Sequence, residues 1–466
     1  MTKFLELKVS RRVFLTRVGI SSAGLFLVPS ILSSRQAAFG GMKGVSSLTK
    51  VGLTQATTYD RAVIKQKVRD LFEAIGGIQD VVKAGNKVAI KINLTGGSGS
   101  ATSPILNGVS ITESMWTHPE VVRAVGELII DCGVSGSNIT IVEALWDDAS
   151  YNNFGYLAVQ QSLGAGMVNL NNKTPYADFV TRAVGPNKFS FSAFTVNQIL
   201  SDIDVLVSIP KMKEHSEAGV TGSIKNLVGM VPKQLYILPT DQGRRGALHS
   251  DGVTSSTSYL PRSIADLFMA RPIHLAVIDG IKNARGGEGV WNPQFQLAQD
   301  HVLLAGKDPV ATDSVSAFLM GHNPASATLR RPDGVQCDNH LELLHQKGIG
   351  TNQMSEIQAV GDGAGLVTSV PAQPEPVVPK TFALYQNYPN PFNPSTTFRF
   401  HLPLAGQVRI GVYAATGQEV ETLVDGWLSD GLHELQWIPR GLASGVYLCE
   451  MRANGFRGSI KMIFQK

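Results

Sequence analysis

Val205-Leu206-Val207-Ser208-Ile209-Pro210-Lys211-Met212-Lys213-Glu214-His215 is the stretch from which the fold of this chain is read. Its first five residues are an apolar run of strand length and read as a buried strand. Lys211, Lys213 and His215 follow directly. Downstream, Val220-Thr221-Gly222-Ser223-Ile224-Lys225-Asn226-Leu227-Val228-Gly229 adds a threonine, a third lysine and an asparagine. Lysine is rarely buried without a partner, so lysines at the end of a core strand suggest an anion site. Gly219 and Gly222 flank a helix predicted to start at Thr221. Such a start offers free N–H groups and the positive end of the helix dipole to a carboxylate or phosphate. On that helix Thr221 and Lys225, four apart, share one face. The competing reading is a solvated strand–helix loop. The binding reading is preferred because open α/β sheets take ligands at the carboxyl ends of their strands.

Working outward, apolar strands alternate with amphipathic helices. Helical spacing covers Asp60 to Gly77 and His118 to Gly133, while Lys87 to Leu94 and Ile139 to Ala144 are strands by length and β-branching. His274 to Asp279 and His301 to Ala305 are further strands, and Ser263 to Met269 and Val310 to Met320 are helices. The alternation predicts an α/β domain with a mainly parallel sheet and flanking helices. Residues 366–380 carry four prolines between Val370 and Pro379 and read as a stiff, extended linker. Beyond it, six short strands separated by Gly, Pro or Asp turns occupy residues 382–466, which predicts an all-β, immunoglobulin-like sandwich.

The first stretch also resembles the signature of domain-of-unknown-function family 362, found alone or fused to iron–sulfur ferredoxin modules. Lys87 to Asn93, Thr117-His118-Pro119-Glu120, Ile278-Asp279-Gly280 and Leu304 to Asp313 agree with it in order, so the resemblance spans residues 51–363. It implies a domain and a site, with Lys91 and a histidine at His249 among the matching positions, but no reaction. The tail, from Tyr385-Gln386-Asn387-Tyr388-Pro389-Asn390-Pro391-Phe392 through Ser444-Gly445-Val446-Tyr447, resembles the type A C-terminal sorting domain of type IX secretion substrates. That resemblance implies passage across the outer membrane.

The N-terminus reads as an address. Ser10-Arg11-Arg12-Val13-Phe14-Leu15 is a twin-arginine signature within a signal peptide spanning residues 1–40. The apolar stretch after it is too short for a membrane helix, so no stable transmembrane helix is expected after processing. The expected partners are the twin-arginine translocase and the type IX machinery. The expected location is the periplasm in transit, then the outer-membrane surface or the exterior. A net charge of +4 over 466 residues argues against nucleic acid as a partner. Cys132, Cys337 and Cys449 lie far apart with no CxxC pair, so the chain is expected to carry no iron–sulfur cluster of its own.

These readings assemble into one site. Lys91, Asn93, Lys211, Lys213, Thr221, Lys225 and Asn226 are the predicted ligand-binding residues for a small anionic ligand. His215, Asp279 and Glu288 are the predicted chemical residues, because an imidazole and strand-end carboxylates can move protons. His215, His249 and Asp279 are the candidate ligands for a divalent metal, which the sequence leaves open. Asp308, ahead of Pro309, reads as a helix cap. Whether the domain is an enzyme or a non-catalytic binding or redox-accessory protein stays open at this point.

Overall fold

Val205–Ser208 is a strand with every residue buried, near the middle of a sheet of 11 strands among the described residues. The structure is a computed structural model that describes residues 48–97, 110–238, 245–369, 382–387, 390–428, 430–439 and 441–465. The twin-arginine segment, Ser98-Gly99-Ser100, most of the proline-rich linker and Tyr388-Pro389 lie outside the described residues.

The main path through the sheet runs Ile357–Val360, Thr49–Gln55, Val302–Gly306, Leu275–Arg285, Val205–Ser208, Val88–Lys91, Ile139–Glu143 and Gly166–Asn169. Every pairing along it is parallel except the two made by Val302–Gly306. Strand side chains alternate between the two faces. Val205 and Val207 join Ile90, Ile141 and Val277 in one core. Leu206 joins Ala89, Val142 and Ile278 in the other. Helices Arg61–Ala74 and Pro119–Asp131 bury Ile64, Val68, Val121 and Val125 in the first core. Helices Ser256–Ala270 and Pro309–Leu319 bury Leu260, Ile264, Val310 and Val315 in the second. The result is the predicted α/β layering around a mainly parallel sheet.

Helix starts follow local chemistry. The Asp60 carboxylate accepts the N–H groups of Ala62 and Val63, and the His118 ring accepts that of Glu120 ahead of the helix beginning at Pro119. Asp308 caps Pro309–Leu319 by accepting from Val310 and Ala311. Ser256–Ala270 begins well before the predicted Ser263, because Pro261 sits inside it and masks its first turns from a propensity reading. Gly365–Ser369, at the start of the predicted linker, closes a short helix instead of extending.

The largest departure lies past Val205–Ser208. Lys211–His215 is a second strand, parallel to an extension of Leu275–Arg285 that runs well beyond Asp279. It turns back through Gly219–Thr221, pairing His215 with Gly219 and Lys213 with Thr221. The predicted helix start at Thr221 is therefore corrected: Thr221 ends a strand, and a 3-10 helix begins only at Lys225. Thr221 and Lys225 share no helix face. The N–H groups of Ser223 and Ile224 are also not free for a ligand, since both donate to the buried Asp313 carboxylate, at 2.7 and 2.9 Å.

In the tail, Ala383–Leu384, Thr396–Leu402 and Gly431–Trp437 form one antiparallel sheet. Glu419–Leu428, Gly406–Ala414, Gly445–Ala453 and Phe456–Phe464 form the other. Alternate residues Phe398, Phe400 and Leu402 meet Val408, Ile410 and Val412 in a shared core, as a sandwich requires. Among the described residues no helix is long and apolar enough to cross a membrane.

Asp266 locks a segment that the sequence reading did not assign. Its buried carboxylate accepts the N–H groups of Phe189, Ser190 and Phe191, each at 2.7 Å. This anchors the loop of the Phe179–Ala183 and Ala193–Asn197 hairpin to helix Ser256–Ala270. Asp266→Ala is expected to cost about 3 kcal/mol in urea denaturation, because three buried donors lose a charged acceptor. Wild-type stability in the variant would mean that those donors find other acceptors.

Candidate functional site

Lys91 and Glu143 are the last residues of adjacent parallel strands, so both reach the carboxyl edge of the sheet. The Lys211–His215 hairpin, the 3-10 helix from Lys225 and the loop carrying Glu288 rise around that edge. Together they enclose a cavity of about 350 Å3. Of the predicted residues, Lys91, Asn93, His215, Thr221, Lys225 and Asn226 line it, as do Glu288 and His249. Asp279, Lys211 and Lys213 do not.

The floor is a hydrogen-bonded network. The wholly buried Lys91 donates to Glu143 Oε2 at 2.8 Å, to the Ile92 carbonyl at 2.7 Å and to Asn226 Oδ1 at 3.3 Å. Burial pulls its pKa down and Glu143 opposes the shift. The pair needs a residue without a side chain above it. A Cβ on Gly229 would stand 2.3 Å from Glu143 Oε1 and 2.7 Å from Lys91 Nζ. Asn226 donates in turn to the Lys91 carbonyl and to Ser208 Oγ. Asn93 donates to Asn226 Oδ1 at 3.3 Å and accepts from Lys213 Nζ at 3.0 Å. Lys213 also donates to the Met115 carbonyl at 2.7 Å. It therefore sits behind the wall and positions Asn93.

Lys211, predicted to bind the ligand, and Asp279 are instead paired with each other. Both are fully buried, with Lys211 Nζ 2.5 Å from Asp279 Oδ2. The Tyr59 hydroxyl accepts from Lys211 and donates to Asp279 Oδ1, each at 2.8 Å. The His118 N–H donates to the carboxylate at 2.9 Å and the Ile281 N–H at 3.3 Å. His118 stacks on the Tyr59 ring with centroids 3.7 Å apart, and burial pushes its pKa down to about 4. Asp279, predicted as a chemical and metal-binding residue, is thus a structural counter-ion away from the cavity.

The upper wall carries the titratable groups. His215 Nδ1 accepts the N–H groups of Glu217 and Ala218, at 3.1 and 3.2 Å. Its proton therefore lies on Nε2. Burial, with Lys225 adding, holds its pKa at about 3, so the ring is neutral. Glu288 Oε2 accepts from the Ser216 N–H at 2.9 Å and Oε1 from the Trp291 indole at 3.0 Å. Burial raises its pKa, but His215 and the Ser216 and Trp291 donors pull it the other way by more, and the carboxylate stays ionised. His249 Nδ1 is paired with Glu217 Oε2. Lys225 differs from all of them: it has no hydrogen bond or ion pair among the described residues. Burial lowers its pKa to about 8 against the pull of Glu288 and Glu217. Beside this partly exposed lysine, the buried Thr221 Oγ1 has no partner either.

Residues 88–318 match the family described as "Domain of unknown function (DUF362)". These residues hold every cavity group named above. A thylakoid-associated protein of Synechocystis sp., sll1697, is 25% identical over 279 residues, covering 59% of this chain and 76% of the relative. Among solved structures, PorZ, a surface component of the type-IX secretion system of Porphyromonas gingivalis, is 19% identical with a TM-score of 0.14. The match covers 20% of this chain and spans 12% of PorZ. An engineered protein matches 87% of this chain and 80% of its own at 12% identity and a TM-score of 0.14.

The matched residues, 88–318, do not gather the metal candidates into one ligand set. Among the described residues no group of three His, Cys, Asp or Glu side chains is arranged to hold a metal ion. His215 has committed its Nδ1 lone pair to backbone donors, and Asp279 lies away from the cavity. The sequence reading missed Glu143, Glu217, Arg245, Trp146 and Trp291, which also line it. Glu143 was findable, because it ends its strand as Lys91 ends the neighbouring one. The others sit in loops with no periodicity to mark them.

Lys213 gives the domain a pH signature. Burial pulls its pKa from 10.5 to about 7, with Glu288 opposing and Lys225 and Lys211 adding to the shift. Between those values the unfolded chain binds a proton that the folded chain does not, so stability rises with pH across that window. Lys213→Met is expected to flatten this rise, on the order of 4 kcal/mol, in urea titrations run from pH 7 to pH 10. An unchanged slope would show that Lys213 stays charged in the fold.

Proposed function

We propose that the DUF362 domain binds a small anionic ligand in the cavity at the carboxyl edge of the sheet, with Lys225 as the recognising cation. The observation that carries this is Lys225 itself, a cavity-lining lysine without a partner among the described residues, beside the unpartnered Thr221 Oγ1. A buried polar group without a partner is costly, and a ligand that supplies one regains that energy on binding. The cavity is of small-molecule size. His215 supplies a neutral Nε2–H donor, and Asn93 and Asn226, held in place by Lys213 and Lys91, fix the floor beneath it. The same lysine supports an enzyme-like role. With a pKa of about 8, Lys225 exchanges a proton near neutral pH, where acid–base groups are most effective. His215 and Glu288 then orient and polarise the ligand instead of carrying its proton.

The export reading belongs with this one. Arg11 and Arg12 ahead of a short apolar stretch support passage of the inner membrane as a folded protein. The sandwich and the motif from Tyr385 to Phe392 support type IX sorting to the surface.

Two outcomes are expected. In thermal-shift measurements with a panel of small carboxylates and phosphates, at least one anion raises the wild-type midpoint. The same anion acts at least tenfold more weakly on Lys225→Ala, whose ligand-free stability stays within about 0.5 kcal/mol of wild type, since no hydrogen bond or ion pair is lost. Equal shifts in both proteins would remove Lys225 from recognition. In the native host, Arg11→Lys combined with Arg12→Lys is expected to leave precursor in the cytoplasm. Normal surface levels of this double variant would rule out the twin-arginine route.

A further inference from the structure

A second pocket, of about 390 Å3, lies on the other side of the Lys211–His215 strand. His215 faces the first cavity and Glu214 the second, as strand alternation requires. Arg285, Arg330, Arg331 and His322 join Glu214 in its wall. The three guanidinium groups come from two places: the end of Leu275–Arg285, and the end of Thr328–Arg330 with the residue after it.

Like charges gathered this way need compensation, and the protein supplies only part of it. Arg285 Nη2 reaches Asp300 at 2.5 Å and Arg331 Nη2 reaches Asp333 at 2.7 Å. That leaves Arg285 Nη1 and Arg331 Nε buried with no acceptor. Arg330 is exposed, and its side chain has no hydrogen-bond or ion-pair partner among the described residues. The His322 side chain is only 9% exposed, and its Nε2 stands 4.0 Å from Glu214 Oε1, too far for a hydrogen bond. That nitrogen is likewise without a partner. Burial, reinforced by Arg285 and Arg330, pushes the His322 pKa down to about 4, so both guanidinium groups act on this ring. The single wall carboxylate, Glu214, already accepts the Gly286 N–H at 2.6 Å.

We infer that this pocket is a binding site for a tetrahedral oxyanion, a phosphate or sulfate group, either free or carried as an ester. Donors arrive from separate segments and lack acceptors. A tetrahedral anion accepts from several directions at once, whereas the two oxygens of a carboxylate lie in one plane. Guanidinium groups match such oxygens in geometry as well as charge. The inference stands apart from the Lys225 reading, because no group of one wall belongs to the other.

Titration calorimetry on the purified protein tests it, with inorganic phosphate, inorganic sulfate and glycerol phosphate as separate probes. At least one probe is expected to bind, more weakly as salt rises. Arg330→Gln is expected to weaken that binding at least tenfold and Lys225→Ala to leave it unchanged. Near-UV circular dichroism checks that Arg330→Gln, which alters an exposed and unpaired side chain, keeps the fold. Tighter binding of glycerol phosphate than of the inorganic ions assigns the site to an ester, and the reverse to a free ion. Three results overturn the inference: no probe binds wild type, Arg330→Gln binds as wild type does, or Lys225→Ala alone abolishes binding.

Discussion

A lysine and an aspartate, both wholly out of water, set the register on which the functional edge of this protein depends. Lys211 and Asp279 are Cα partners where the Lys211–His215 strand first meets Leu275–Arg285, and their side chains are joined at 2.5 Å. A buried charge is tolerated only with its partner in place. A slip by one residue would turn Lys211 to the other face and strand Asp279 in the core. The pair therefore fixes where the hairpin leaves the sheet and which side chains it delivers. Lys213 reaches Asn93, His215 reaches the first cavity and Glu214 reaches the second pocket.

The sheet was legible because its strands are buried on both faces and read as short apolar runs. Ile139–Glu143, Val205–Ser208 and Val302–Gly306 lie within a residue of where β-branching and length place them, and Val88–Lys91 ends three residues before the predicted Leu94. The hairpin was not. Lys211, Lys213 and His215 alternate with Met212 and Glu214, so the period of two is present. It is written in charged residues, however, and a search for apolar alternation passes over it. The helix expected at Thr221 rested on flanking glycines. Gly219 instead adopts a positive φ of 75° at the hairpin turn, where its ideal Cβ would meet Leu329 at 2.8 Å.

Much of the cavity could be named in advance, because strand ends collect at one edge and the residues that interrupt apolar runs there are few. What the sequence could not say is which charges are already neutralised. Lys91, Lys211 and Lys225 look alike in one dimension. In the fold the first holds Glu143, the second holds Asp279, and only the third is left for something else. The arginine-lined pocket went unread for the complementary reason: Arg285 and Arg330 are far apart in sequence, on strands with no shared pattern.

The sheet also acts as a partition. The core around Leu206 and Ala89, on the face that carries the 3-10 helix from Lys225, shares no residue with the core around Val207 and Ile90. Side chains under helices Arg61–Ala74 and Pro119–Asp131 can therefore drift, swap volumes and be repacked while the opposite face keeps its geometry. Only the starts of those helices are tied to the edge, where Tyr59 and His118 hold the Lys211–Asp279 pair.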